Sequence, residues 1–278
     1  MTRMFFLGDV LRDAGLKVVA TNGWQSRGKD SPTQSMNPRG VVAHHTASGP
    51  NRSPKALSVE LIKGRPDRMV NGVLVKGLPG PLCHLQLERD GSYWLIASGK
   101  ANHCGAGVWK DANRSTHMIG IEAANLGNSV RFPTREPWPI PQLEAYDRGV
   151  AALLAYIGRD QTHFCGHREW ALPPGRKPDP SGIDLDAMRS RVGKHLDAML
   201  SPMTSLQARL EVAAAWHAKS GEWMTSTPTE TRQARLTRLA YEVVSAGRKI
   251  DDIILHAPAG QAHDEPVSAW VLDPTIPQ

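Results

Sequence analysis

Along residues 1–200, short apolar runs of strand character alternate with stretches whose apolar positions recur at helical spacing. A short helix is expected around residues 6–14 and a strand over 16–20, followed by a polar stretch containing Gly, Ser and Pro up to residue 40. VVAHHTA (41–47) reads as a buried strand that opens with two valines and ends in polar residues. Residues 54–64 place Leu57, Leu61 and Ile62 on one helical face. LCHLQLERDGSYWLIA (82–97) alternates about Asp90-Gly91, a hairpin signal because glycine accepts the positive φ a tight turn needs. MIGIEAAN (118–125) reads as another strand. Apolar side chains at 143, 146, 150, 153, 154 and 157 form a helical stripe. Residues 162–165 are short and β-prone, and a further helix is expected over 184–200. Strands interleaved with helices predict an α/β domain over residues 1–200, a mixed central β-sheet flanked by helices.

The pattern then changes. Residues 205–223 and 229–255 are two strongly helical segments joined by a Ser/Thr/Pro turn, so a C-terminal helical pair is expected within 201–257. Leu206, Leu210, Ala213 and Ala214, and then Leu236, Leu239, Val243 and Ile250, form stripes that suit packing on each other, on the front domain or on another subunit. Residues 258–278 carry four prolines and little apolar periodicity, which predicts an irregular tail. No repeat period is evident.

Composition narrows the class. Among the 278 residues the apolar share of 40% and charged share of 22% are ordinary for a globular protein. No run of about 18 apolar residues exists, which excludes a membrane-inserted helix. Asp9 interrupts the N-terminal apolar run early and no cleavage pattern follows, so the chain is expected to be made in the cytoplasm without a signal peptide. Cys83, Cys104 and Cys165 are odd in number and widely spaced, which argues for buried free thiols rather than a disulfide framework. Residues 1–204 hold 26 Lys and Arg against 18 Asp and Glu, whereas residues 205–278 hold 7 against 9. The front portion thus suits an anionic polymer, nucleic acid and bacterial wall both qualifying by charge alone. Lys/Arg interleaved with aromatics, or a known binding motif, would mark a nucleic-acid binder, and neither is present.

The candidate chemistry lies where strands end. GHREWALPPGRKPDP (166–180) holds His167, Lys177 and Asp179 in a stretch stiffened by Pro173, Pro174, Pro178 and Pro180. Proline restricts the backbone, so such a loop presents side chains at low entropic cost. His44 and His167 stand at strand ends, and strand ends of one sheet converge across any sequence separation. Two imidazoles and a carboxylate are a catalytic Zn²⁺ set with a fourth position open, whereas Ca²⁺ and Mg²⁺ prefer oxygen shells. The plainer alternatives are capped or surface histidines and a Lys177–Asp179 surface ion pair worth little. Cys165 shares a strand face with His167 and is an alternative fourth donor or a buried structural thiol.

VVAHHTA, ANHCG (101–105), IGIEAAN (119–125) and GHREWALPPGRKPDP, in that order, resemble the zinc-dependent N-acetylmuramoyl-L-alanine amidases of the amidase-2 family, related to peptidoglycan recognition proteins and many phage lysins. The resemblance spans about residues 38–195. It implies that His44, His167 and Asp179 hold zinc, with His44 preferred to His45, which alternation turns to the other face. It implies Glu122 as general base and acid, Lys177 as the cation that steadies the oxyanion, and His103 as a residue of the substrate cleft. Asn102, His84 and Trp109 are further candidates for substrate contact, with packing the alternative for His84 and Trp109; Trp138 is open to the same two readings. Some relatives place a catalytic tyrosine where Cys83 stands here, which leaves the Glu122 route.

The resemblance implies a peptidoglycan hydrolase cutting the amide between N-acetylmuramic acid and L-alanine, of phage endolysin type. Such an enzyme would act on the wall after a holin-type partner permeabilises the membrane. The helices after residue 200 would then be a wall-binding module or a packing or oligomerisation element. A wall-recycling amidase and a catalytically silent peptidoglycan-binding protein are the alternatives, the second disfavoured by the complete residue set. A cysteine peptidase would need a thiol at a helix start with a partnered histidine, which no cysteine here offers. No oligomeric state follows from the sequence.

Overall fold

The computed structural model describes residues 3–28, 35–127 and 136–199. The chain divides into two compact units, Met1–Leu154 with Arg159–Leu196, and Ala155–Gly158 with Asp197–Gln278. The helical pair expected at 205–255 and the tail at 258–278 lie outside the described residues.

In chain order the elements are α1 (Leu7–Asp13), β1 (Val18–Ala20), β2 (Gly40–His45), α2 (Pro54–Lys63), β3 (Gly64–Arg65), β4 (Arg68–Val70), β5 (Val73–Val75), β6 (Leu78–Pro79), β7 (Leu85–Leu87), β8 (Tyr93–Leu95), β9 (Met118–Ala123), α3 (Ile140–Tyr156), β10 (Phe164–Gly166) and α4 (His167–Trp170). A further helix, α5, covers residues 185–199. Six strands form one sheet in the order β1-β8-β7-β9-β2-β10. Only the β7–β8 hairpin is antiparallel; β1–β8, β7–β9, β9–β2 and β2–β10 are parallel. The sheet is therefore mixed, as the alternation of patterns predicts.

Local chemistry accounts for the borders. Ser53 caps α2 by accepting the Ala56 N–H at 3.3 Å, and Pro54 occupies the first helical turn, where a missing N–H costs nothing. At the expected hairpin, Gly91 has φ +80°, and the Asp90 carboxylate accepts the Ser92 N–H at 2.9 Å. Two small ribbons, β3 with β6 and β4 with β5, fill residues 64–79, where no element was expected. Their signal is Asn71-Gly72, both at positive φ, which is the two-residue turn of a tight hairpin.

Strand alternation gives the sheet two different faces. On one, Val42, Met118 and Cys165 meet Cys104, Ala112 and Trp170, and α2 lays Leu57 and Leu61 against Leu82, Cys83 and Ile96. Val41, Ala43, Ile119 and Ile121 point to the opposite face and are fully buried. There α3 reaches over the strands: Tyr93 Oη donates to Ala145 O at 3.0 Å, and Gln142 Nε2 donates to Leu87 O at 3.2 Å and to Ala124 O at 3.0 Å. Ala145, Tyr146, Val150, Ala151, Ala152, Leu153 and Leu154 are all buried, so α3 hides more than the expected stripe. Buried Asp147 pairs at 2.5 Å with Arg191 of α5, whose side chain stays partly open to solvent.

Candidate active site

Because β2, β9 and β10 run parallel, their carboxyl ends open on one edge, the usual place for a ligand in an α/β sheet. The register puts Glu122 of β9 beside His44 of β2, with Gly166 of β10 beside Ala43. His167 follows as the first residue of α4 rather than the last of a strand. Asp179 comes from the proline loop, and its backbone O accepts Arg168 N–H at 2.7 Å. Two arginines hold the loop in shape. Arg168 donates to the Pro180 and Ile183 carbonyls, and Arg176 donates to Leu172 O at 2.8 Å and Ala106 O at 2.7 Å.

Three donor atoms converge. His44 Nδ1 lies 2.9 Å from His167 Nδ1 and 3.1 Å from Asp179 Oδ2, and His167 Nδ1 lies 2.9 Å from the same oxygen. A tetrahedral Zn²⁺ shell with ligands at about 2.0–2.1 Å spaces its donors by about 3.3 Å, so small shifts fit this triangle to the ion. Among the described residues these three form the metal-competent group of His, Cys, Asp and Glu. Burial above all lowers His44 to a pKa of about 4, with His167 and Lys177 adding to the effect and Asp179 opposing it; the ring is neutral, as a ligand must be. Burial disfavours a charged Asp179, but hydrogen bonds from His167 and His44, with the electrostatic pull of the two imidazoles, outweigh it and hold the carboxylate well below its usual range.

The residues around the triangle extend the fit. Glu122 lines the cleft, and its buried Oε2 has no hydrogen-bond partner among the described residues. Burial first, then Asp179, push its pKa up to about 8, against the pull of Arg65 and Lys177. An orphaned carboxylate oxygen costs free energy unless something polar meets it. Here it faces the same cleft as His167 and Asp179. That cleft, about 250 Å³, also takes in Thr46, Asn102, His103 and Lys177. A contiguous cavity of about 390 Å³ shares Arg65 with the cleft and adds Lys100 and Arg176, with no acidic residue in its lining.

Residues 34–182 match the amidase-2 family, described as N-acetylmuramoyl-L-alanine amidase. The chain belongs to this family. Structures similar to it include the endolysin amidase LysCS of Clostridium intestinale URNW, 15% identical over 63% of this chain and 95% of that one, TM-score 0.43. The Ph2119 endolysin from the Thermus scotoductus MAT2119 bacteriophage is 15% identical over 64% and 99%, TM-score 0.38. The amidase AmiD from E. coli, solved with a muropeptide substrate, is 16% identical over 77% and 82%, TM-score 0.42. Among curated proteins no significant match is found.

As an amidase-2 enzyme the chain is a peptidoglycan hydrolase, and the remaining expected residues take varied positions in it. His103 and Asn102 line the cleft, Asn102 Nδ2 donating to Pro79 O at 2.8 Å. His103 is 7% exposed, and burial, reinforced by the histidines around it, lowers its pKa well below the usual value. His84 is fully buried behind it, with Nδ1 accepting Gly120 N–H at 2.9 Å and ring centroids 5.0 Å apart. His84 therefore supports the site from within the sheet and does not reach the cleft. Trp109 is not among the lining residues of either cavity. Its Nε1 donates to Thr162 O at 2.8 Å, and Arg189 stacks over its ring at 5.6 Å, so packing claims it. Trp138 Nε1 likewise donates to Ser181 O at 3.0 Å. His45 lines the cleft but stays out of the donor triangle, its Nδ1 approached by Ser181 N–H at 3.4 Å.

All three cysteines are free and buried, and burial pushes Cys104 up to about 12 and Cys165 well above the usual thiol value. A thiol so reluctant to ionise is a poor donor, and Cys165 sits in the apolar cluster with Val42 and Trp170. Two contributors had no sequence signal. Arg65 enters the cleft from a ribbon that was not expected. Tyr146 Oη sits 3.2 Å from each of His44 N, His44 O and Ile121 O, clamping the two central strands beneath the site.

Proposed function

We propose that this amidase is zinc-dependent, with His44, His167 and Asp179 as ligands, and that it serves as a bacteriophage endolysin. The observation that carries the reading is the convergence of His44 Nδ1, His167 Nδ1 and Asp179 Oδ2 within 3.1 Å of one another beside the unpartnered Oε2 of Glu122. A bound Zn²⁺ would supply Lewis acidity to the scissile carbonyl and acidify water in the cleft.

The chain's own groups do the rest. Glu122, with a pKa of about 8, takes a proton from the attacking water at Oε2 and returns it to the leaving L-alanine nitrogen. That value belongs to the metal-free site; beside a bound Zn²⁺ it would fall toward the working pH, which suits a group that must both accept and release a proton. Lys177 projects its charge into the cleft, where the carbonyl oxygen becomes negative, and the proline loop keeps it from drifting. Arg65, Lys100 and Arg176 in the adjoining cavity suit the carboxylates of a stem peptide. Residues 1–200 are the catalytic domain in this reading, residues 201–257 carry a wall-binding helical module, and a holin-type partner gives access to the wall.

The test is an end-group assay on purified peptidoglycan with metal-stripped and Zn²⁺-restored protein. New alanine amino termini, lost on stripping and regained with Zn²⁺, are expected. New reducing sugar ends in their place would sink the reading, and so would alanine release indifferent to metal.

A further inference from the structure

The ANHCG segment (101–105) lies along the wall of the cleft, yet its contacts lead to the metal triangle rather than into open space. His103 Nδ1 is 3.3 Å from His44 Nε2. The backbone carbonyl of the next residue, Cys104, is 3.0 Å from His167 Nε2. Both imidazoles turn Nδ1 toward Asp179. A cation taking Nδ1 of a neutral imidazole leaves the ring proton on Nε2, so each Nε2–H requires an acceptor where water is scarce. The two acceptors are consecutive residues of one segment.

We infer that His103 is a positioning residue for the metal ligand His44, accepting its Nε2–H at Nδ1, and that residues 103–104 together set the tautomer and ring orientation of both imidazole ligands. The inference rests on the reading of His44, His167 and Asp179 as the ligands. Outer partners of this kind orient ligating imidazoles and raise their basicity.

The surroundings hold His103 in that pose. Its ring lies over Gly120 of β9, where an added Cβ would fall 2.7 Å from its Cγ and 2.9 Å from its Cε1, so only glycine leaves room. The His84 ring meets it edge-on at an interplanar angle of 75°. His84 in turn is pinned to Gly120 through both its backbone N–H, at 3.1 Å, and its Nδ1, at 2.9 Å. The other ring nitrogen, Nε2, lies 4.0 Å from Cys104 Sγ, so Nδ1 is the one turned to His44. With 7% of the residue exposed, little of the ring is left for substrate.

Zn²⁺ affinity of the full chain, measured by competition with a chromophoric chelator, tests this. It is read beside the absorption bands of the Co²⁺-loaded protein, the unfolding midpoint of the metal-free protein and KM on a soluble muropeptide. His103→Leu keeps bulk but removes the acceptor, and is expected to weaken Zn²⁺ binding about 10–100-fold and shift the Co²⁺ bands. His103→Asn, whose carbonyl oxygen falls near the Nδ1 position, is expected to recover most of the affinity. His103→Gln carries its oxygen past that position and is expected to resemble the leucine variant. Unchanged Zn²⁺ affinity in His103→Leu with a raised KM would make His103 a substrate contact and overturn the inference. Equal losses in all three variants that follow their metal-free stability would reduce it to packing. If His103→Leu does not fold, the comparison of Asn with Gln decides, tighter binding by Asn supporting the inference and parity overturning it. A parent protein that binds no Zn²⁺ at all overturns the ligand reading along with it.

Discussion

Glu122→Gln should stabilise the metal-free protein at alkaline pH while abolishing its activity. The Glu122 carboxyl has a folded pKa of about 8 against an ordinary value of 4.5. Between those values the folded state holds a proton that the unfolded chain has released, so stability falls as pH rises from 4.5 to about 8. At 1.36 kcal/mol per unit the full shift corresponds to about 5 kcal/mol. Relaxation and water entry around a newly charged carboxylate reduce this to ~2–4 kcal/mol. Glutamine has the shape of the protonated side chain and cannot ionise. Urea unfolding of the chelated parent and variant at about pH 5 and about pH 9 measures the effect. The two proteins should match within about 1 kcal/mol at the lower pH, and the variant should exceed the parent by ~2–4 kcal/mol at the higher. His44 and His84, whose depressed pKa values add stability as pH rises toward 6.5, contribute equally to both and cancel in the difference. Zn²⁺ loading should shrink the gap, because a neighbouring cation favours the ionised carboxylate. Equal stability at about pH 9, or a more stable parent, would refute the premise that Oε2 is desolvated and unpaired.

Three further outcomes are expected. Lys177→Gln should lower kcat on muropeptide by about 10²–10³-fold with Zn²⁺ affinity within twofold of the parent, since it removes positive charge at the oxyanion but no ligand; a rise in KM alone would contradict that role. Tyr146→Phe should cost about 1–3 kcal/mol in denaturant unfolding, because the lost hydroxyl leaves buried strand groups at His44 and Ile121 short of a partner, and an unchanged midpoint would contradict the clamp. Trp109→Leu should cost about 1–3 kcal/mol of stability through lost packing and leave KM unchanged; a tenfold rise in KM at parental stability would return Trp109 to the cleft.

Much of this protein was legible in its local patterns. The helices at 54–63 and 140–156, the strands carrying VVAHH and MIGIEA, and the Asp90-Gly91 turn all follow from apolar period and turn chemistry. Alternation alone separates His44 from His45, and the order of motifs pointed to His44, His167, Asp179 and Glu122 before any distance was known. The Asn71-Gly72 ribbon was equally visible in principle, because its turn requires two positive φ values that this dipeptide tolerates. Tertiary structure alone decided that β9 lies between β7 and β2, which sets Glu122 beside His44. Parallel neighbours are joined by long connections, so nothing local in either strand announces its partner. The same holds for the acceptors behind the two imidazoles, for Tyr146 beneath the strands and for the arginines that brace the Asp179 loop. Trp109 shows the limit most directly. An indole reads alike in sequence whether it stacks on sugar or donates to Thr162 O, and only the path of the chain around it, which depends on contacts far along the sequence, selects between them.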